Sequence, residues 1–268
     1  MLPRIARSVG RSFFGSDPET YDAVRPGHAD EVYDLLRERC GLRRGSKVLE
    51  IGTGTGQATR RLLELGARAL VAIEPDPALA DYLRARVGDI VDVRVTTLED
   101  AELEPEVFDL AAAASSFHWV EEGLGLAKIR DALRPGGWIA LWWTSFGDEL
   151  RPDPFRTAVD PLFADVPHGP SGPPREGRPS FARDADLRLA ALEAAGFEEL
   201  GADEMRWARE WDTDGIRGLY STFSPISALE PDARRQLLDG VARIAEVEFG
   251  GRVEKPLVTS LYTARKPL

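Results

Sequence analysis

The sequence predicts an α/β protein: a mostly parallel sheet with helices on both faces and a helical insertion in the second half. Three observations carry this. Short apolar runs alternate with helix-spaced segments through the first half of the chain. The runs are apolar at consecutive positions rather than at every second one, as in strands covered on both sides. The first run ends in glycines that open a helix, the kind of join at which open α/β sheets bind ligands.

The elements follow in order. Asp30–Cys40 puts Val32, Leu35 and Leu36 on one helical face. Lys47–Ile51 is the first strand and stops at glycine. Gln57–Leu65 has helical apolar spacing at Ala58, Leu62 and Leu65 before Gly66. Ala69–Glu74 is a second buried-type strand, and Pro77–Val87 a helix that starts at proline. Ile90–Val95 and Phe108–Ala114 are the third and fourth strands. Glu121–Leu133 is helical, Leu133–Gly137 (LRPGG) a turn, and Trp138–Trp143 the fifth strand. Residues 165–179 form a loop rich in proline and glycine. Ala185–Ala195 reads as a helix, Glu204–Trp211 as the sixth strand, Ile216–Phe223 and Asp232–Phe249 as helices, and Leu257–Ala264 as the last strand. This gives an N-terminal arm and lid over 1–29 and one domain over 30–268, with substrate-side insertions at about 144–183 and 212–251.

Composition narrows the function. The 268 residues are 43% hydrophobic and 29% charged, which is globular and long enough to bury a core without staples. Lys plus Arg number 34 against 45 Asp plus Glu, a formal charge of −11, a poor match for phosphate backbones. Cys40 is the single cysteine, so no internal disulfide or multi-thiolate zinc site forms. Three histidines without i,i+4 pairing give no metal site. The longest apolar strand run, Trp138–Trp143, is far short of a membrane span. A soluble, cytoplasmic monomer or homodimer without nucleic-acid or membrane partners is expected. Residues Met1–Ser16 carry Arg4, Arg7 and Arg11 and no acid, which reads as a short basic arm or as a targeting segment.

The strongest local signal is Val48–Gly56 (VLEIGTGTG). Gly52 permits a tight turn at positive φ, and Gly54 lacks a Cβ that would hold a ligand away from the backbone. The helix beyond presents unpaired N–H groups. A dinucleotide fingerprint would need a third glycine or alanine where Gln57 or Thr59 stands, and a P-loop would need a lysine after Gly56. Glu74 ends the second strand 22 residues after Gly52, placed to accept hydrogen bonds from a ribose diol.

The E-x-G-x-G-x-G run of Glu50–Gly56, followed by Val71–Asp76 (VAIEPD), resembles the class I S-adenosylmethionine-dependent methyltransferases. Upstream, Tyr21–Pro26 (YDAVRP) resembles the small-molecule branch related to trans-aconitate and ubiquinone-type enzymes. The resemblance implies a Rossmann-like seven-stranded sheet with an antiparallel last strand and S-adenosyl-L-methionine as cofactor. It implies cofactor contacts from Tyr21, Arg25, Glu50, Gly52, Thr53, Gly54, Gly56, Gln57, Glu74, Pro75, Asp76, Thr97, Leu98, Glu99, Ser115 and Phe117. Leu98 would lie against the adenine, with Thr97 or Glu99 at its edge. His118 is the candidate general base, an imidazole whose ordinary pKa of about 6.5 suits proton transfer, or else an orienting residue. The acceptor side would draw on His118, Trp119, Trp143 and Phe146. No [DN]-P-P-[YFW] follows the fourth strand, where Ser115–His118 stands instead, so a small-molecule acceptor is expected. Methyl transfer to its oxygen or nitrogen is the leading reaction. Cofactor-dependent cyclisation or rearrangement, or a non-catalytic partner subunit, are the alternatives.

Overall fold

The computed structural model describes residues 17–164, 166 and 180–268. The arm at 1–16 and, apart from Val166, the proline/glycine stretch at 165–179 with His168 lie outside them. In chain order the elements are α1 (Pro18–Val24), α2 (Asp30–Glu38), β1 (Lys47–Ile51), α3 (Gln57–Glu64), β2 (Arg68–Ile73) and α4 (Pro77–Val87). Then come β3 (Val91–Arg94), β4 (Phe108–Ala114), α5 (Glu122–Ala132), β5 (Leu133–Phe146), α6 (Pro154–Val159) and α7 (Ala185–Ala194). The chain ends with β6 (Glu198–Asp212), α8 (Thr213–Ser221), α9 (Ser224–Ser227), α10 (Pro231–Phe249) and β7 (Arg252–Arg265).

The seven strands form one sheet in the order β3-β2-β1-β4-β5-β7-β6. β3, β2, β1, β4 and β5 are mutually parallel. β7 runs the other way: Gly136 N–H donates to Lys266 near one end of β5, and Gly147 N–H donates to Pro256 beyond the other. β6 is antiparallel to β7 in turn, since Arg265 pairs with Glu199 and Arg252 with Glu210. This is the Rossmann-like arrangement expected, antiparallel last strand included.

The chain divides into two compact units. Among the described residues the sheet unit comprises 27–144, 180–205 and 259–268. Side chains alternate across each strand. Leu49, Ile51, Ala111, Ala113, Ile139, Leu141 and Trp143 form a core with Ile129 of α5 and Leu192 of α7. The intervening residues face the other way, and there Trp142, fully buried, meets the Tyr33 ring of α2 edge-on at 6.3 Å. Alanines 111–113 are completely buried, which explains a strand of poor β-propensity: close approach, not side-chain bulk, is what β4 supplies.

Among the described residues the helical unit comprises 17–26, 145–164, 166 and 206–258. Its core gathers Phe155, Trp211, Ile216, Tyr220, Val241 and Leu257. Within it, Lys255 Nζ and Asp153 Oδ2 pair at 2.8 Å with side chains only 3% and 8% exposed. Burial pulls the Lys255 ammonium below its ordinary value, while Asp153 holds it up.

Two readings of the sequence change here. Leu133–Gly137 is not a turn ahead of the fifth strand but the start of it. Leu133 pairs with Phe108 and Trp138 with Leu110, so the residues between bulge out of register. Gly136 there sits at φ +74, and a Cβ on Gly137 would meet two carbonyl oxygens at about 3 Å. The short helices α1 and α6 were not expected. Each begins at an Asp-Pro pair, with Asp17 accepting from Thr20 N–H at 3.0 Å and Asp153 from Arg156 N–H at 2.9 Å, a side-chain cap on proline-started helices. No helix among the described residues is long and apolar enough to cross a membrane.

The Lys255–Asp153 pair supplies a stability test. Lys255→Met leaves a buried carboxylate without its cation and is expected to cost about 3–5 kcal/mol, read as a lower urea midpoint. Adding Asp153→Asn, which keeps the helix cap, is expected to recover most of that loss.

Candidate cofactor and acceptor site

The three glycines after β1 are glycines for different reasons. Gly52 has φ +66, and a Cβ there would lie 2.5 Å from Ser116 Cβ. Its N–H donates to Ile73 at 2.7 Å, and the Ser116 hydroxyl donates to the Ile51 carbonyl, so β1, β2 and the end of β4 are tied together. Gly56 has φ +83, caps α3, and would drive a Cβ to 2.4 Å from Leu83 of α4. Gly54 has φ +55 and nothing within 4 Å of a built Cβ. The outer glycines are demanded by packing. The middle one offers an open backbone surface, the cradle a close-lying ligand needs.

Glu74 closes that loop from the neighbouring strand. It is 4% exposed. Its Oε2 accepts from Gly54 N–H at 2.7 Å and its Oε1 from Asp76 N–H at 3.0 Å. An ionised carboxylate offers acceptors only, in about four lone-pair directions, the chemistry that suits a ligand's hydroxyls. Asp76 spends its own carboxylate capping α4, on Ala78 and Leu79 N–H. Pro75 joins the two acids, half-buried, and Gln57 opens α3. Thr53 is buried with no hydrogen-bond partner at its hydroxyl.

Beyond β3, Thr97 Oγ1 donates to Asp100 at 2.8 Å and shapes the turn. Glu99 accepts from Glu121 N–H through Oε1 at 2.9 Å, and its buried Oε2 lacks a hydrogen-bond partner. An amine edge fits that oxygen. Leu98 and Phe117 are 2% and 1% exposed and belong to the hydrophobic core. Ser115 is held at φ +54, its N–H on the Trp142 carbonyl at 2.7 Å. That left-handed conformation is uncommon outside glycine, and it marks the sharp turn that delivers Ser116 to Gly52.

Next comes His118. Trp143 Nε1–H donates to His118 Nδ1 at 3.1 Å, so the neutral ring carries its proton on Nε2 and is a donor there. Trp119 lies 4.7 Å from His118 between ring centroids, and Phe181 lies 5.6 Å from Trp143. A second imidazole, with no role expected from its position in the chain, stands at the same end of β5. His28 Nδ1 meets Thr144 Oγ1 at 3.0 Å, and Thr144 meets Thr259 at 2.9 Å. Burial lowers the His28 pKa to about 4, so it is neutral near pH 7. No sequence signal marks it, because its hydrogen-bond partner lies 116 residues away.

Tyr21, Arg25 and Phe146 fall in the helical unit. Arg25 donates from Nε to Thr222 Oγ1 at 2.8 Å and from Nη2 to the Thr222 carbonyl at 3.0 Å. Its guanidinium lies over the rings of Tyr21, Phe146 and Phe223 at 5.1, 5.5 and 4.9 Å. Burial pulls its pKa down. These residues cluster with one another, within that unit.

Glu50 is the least ordinary group of the sheet unit. It is 1% exposed, and burial lifts its carboxyl pKa to about 8, with the Glu74 charge pushing the same way and the Thr59 hydroxyl opposing. Its Oε2 has no hydrogen-bond partner. Among the described residues no cluster of His, Cys, Asp and Glu could hold a metal ion.

Comparison with known proteins gives this geometry a context. A family model described as a methyltransferase domain matches residues 49–141. An uncharacterized methyltransferase of Schizosaccharomyces pombe is 24% identical over 262 residues, covering 96% of this chain and 98% of its own. An uncharacterized methyltransferase of Geobacillus sp. is 30% identical over 164 residues, covering 57% of this chain and 75% of its own. Among solved structures, a phosphoethanolamine N-methyltransferase 2 of Haemonchus contortus, bound to phosphomonomethylethanolamine and S-adenosylhomocysteine, superposes with a TM-score of 0.59 at 16% identity. The match covers 97% of this chain, which spans 60% of that protein.

The glycine loop yields a prediction. Gly54→Ala meets no clash but must hold an L-residue at positive φ, so it is expected to cost about 1–2 kcal/mol of stability. It should weaken S-adenosylmethionine binding by at least about tenfold in calorimetry, the factor that corresponds to about 1.4 kcal/mol.

Proposed function

Since the chain belongs to the class I S-adenosylmethionine-dependent methyltransferases, we propose that it methylates an oxygen or nitrogen of a small-molecule metabolite that carries a carboxylate or similar oxygen acceptor. The observation that supports this acceptor is the imidazole at the end of β4: His118 is fixed by Trp143 as an Nε2–H donor and walled by Trp119 and Phe181. A donor among aromatic faces suits a partly apolar molecule with an oxygen to be oriented.

The cofactor, S-adenosylmethionine, supplies a sulfonium-activated methyl group. The residues that would hold it are the Gly52–Gly56 backbone, Glu74 for the ribose hydroxyls and Glu99 for the adenine amine. The chain's own work is then placement. The acceptor's lone pair has to lie about 3–3.5 Å from the methyl carbon and in line with the departing bond. His118 Nε2–H would fix the acceptor's orientation, and the rings of Trp119, Trp143 and Phe181 would keep water out. No covalent enzyme intermediate is needed. His118 acts as a donor in this scheme rather than as a base, because Nδ1 is occupied by the indole N–H. A proton leaving a hydroxyl acceptor would pass to solvent, since His28 lies on the opposite face of β5.

The test is turnover of the purified chain with methyl-labelled cofactor against panels of small carboxylic acids, hydroxy acids, phenols and amines. Label in a product heavier by one methylene supports the proposal. An unlabelled product isomeric with its substrate indicates cyclisation or rearrangement, and turnover only with a second protein indicates a partner subunit. Once an acceptor is found, Trp143→Phe keeps the ring but removes the donor that sets the His118 tautomer. It is expected to lower kcat by about tenfold, with little change in cofactor affinity.

A further inference from the structure

Glu50 stands on β1 directly below the glycine loop, in register with Ala72 of β2 and Ala112 of β4, so its own strand neighbours offer it nothing polar. The Thr59 hydroxyl approaches it from α3 without completing a hydrogen bond, and the Glu74 charge reaches it from the end of β2. From α2, the phenol of Tyr33 is close enough to feel its charge. Arg61 stacks on the outer side of Tyr33 but is already bonded to Asp30 and Glu64. The groups that act on Glu50 are thus a hydroxyl and a second carboxylate. Two carboxyl groups in one buried site do not both ionise readily without a cation.

Sheet order says where a cation would come from. Glu99 follows β3, Glu74 ends β2, Glu50 lies on β1, and His118 follows β4. A nucleoside with its base at Glu99 and its ribose at Glu74 points its remaining end across β1 towards β4. In S-adenosylmethionine that end carries the sulfonium and the amino-acid ammonium.

We propose that Glu50 is the cofactor's proton-exchanging counter-ion: it is protonated in the free protein and releases that proton as the cationic end of the cofactor arrives. This deepens the cofactor assignment above and rests on it. The proton goes to solvent, and the new carboxylate charge balances the ammonium. The ammonium need not touch Oε2, since at interior dielectric a unit charge several ångströms away moves a carboxyl by more than a pKa unit. The buried position explains why the acid is neutral beforehand. Its carboxyl, lifted to about 8 when free, falls on binding. Between the bound and free values each binding event therefore releases one proton, and affinity rises with pH, levelling off above about 8.

S-adenosylhomocysteine, which keeps the ammonium and is not consumed, is the probe. Calorimetric titration of the full chain at pH 7, in buffers of different ionisation enthalpy, counts the protons released. Wild type is expected to release close to one proton more than Glu50→Gln does. The dissociation constant of wild type should fall by up to about tenfold per pH unit from pH 6 towards 8 relative to that variant. The free ligand's own amine titrates alike in both experiments and cancels. Tyr33→Phe is expected to behave as wild type. A buffer-independent binding heat in wild type overturns the proposal, as does undiminished release in Glu50→Gln. If Glu50→Gln does not fold, wild type and Tyr33→Phe decide: release lost with the phenol assigns the proton to Tyr33 and overturns it. Absence of any binding at millimolar probe is a different result, which removes the cofactor reading and this proposal with it.

Discussion

The site depends on one bridge: the Glu74 carboxylate, at the end of β2, accepts from the N–H of Gly54 on one side and of Asp76 on the other. These bonds join the end of one strand to the loop after its neighbour. A glycine loop has little intrinsic reason to hold a single shape, because glycine loses more conformational freedom on ordering than any other residue. A nearly buried, charge-assisted acceptor offsets that loss, and such bonds are roughly twice as strong as neutral ones. The same anion raises the cost of ionising Glu50. Loop shape and the cost of ionising Glu50 therefore both pass through one side chain.

The far side of the sheet unit is organised by β5. Its alternation sends Trp143 into the α5–α7 core and Trp142 and Thr144 to the α2 face. Consecutive residues thus hold two imidazoles on opposite faces: Trp143 fixes His118 and Thr144 meets His28. Ala111–Ala114 of β4 take little room beside them. A strand that looks like mere packing in composition is a positioning device for both rings.

Much of this was legible in the sequence, and what was not has a physical reason. Glu74 could be found because a fixed strand–helix–strand path sets the distance from the loop to the next strand end. Pro77 announced α4, but Asp17-Pro18 and Asp153-Pro154 carry the same start signal on helices too short to show a period. β6 was read at less than its full length because it is an edge strand with few buried residues, so alternation is faint. LRPGG has turn chemistry, yet the cross-strand pairs on either side of it make it a bulge inside β5. His28 and Ser116 left no trace, since each acts through a partner distant in sequence. The neutral state of Glu50 depends on what surrounds it in three dimensions, and E-x-G-x-G-x-G contains none of that.

Several exceptions to ordinary folding rules gather at one end of the sheet, although Ala69, Glu106 and Glu199 are also held at positive φ and Trp142 Nε1, Arg188 Nε and Ser260 Oγ are also buried without hydrogen-bond partners elsewhere in the sheet unit. Ser115 is held left-handed, three glycines in five residues have positive φ, and Glu50 Oε2, Thr53 Oγ1 and Glu99 Oε2 are buried without hydrogen-bond partners. All lie at or beside the carboxyl ends of β1, β3 and β4. Each such feature costs free energy in isolation, and together they would not survive on a framework that was itself marginal. The framework is the opposite: a fully packed alanine strand, a continuous core against α5 and α7, and helices capped by Asp76, Glu121 and Asp184. The group at the carboxyl ends of β1, β3 and β4 is the one that borders the open Gly54 backbone, and local conflict there marks a place shaped for something other than stability. Here the unmet groups are acceptors and acids, which fits a ligand that brings hydroxyls, an amine and positive charge.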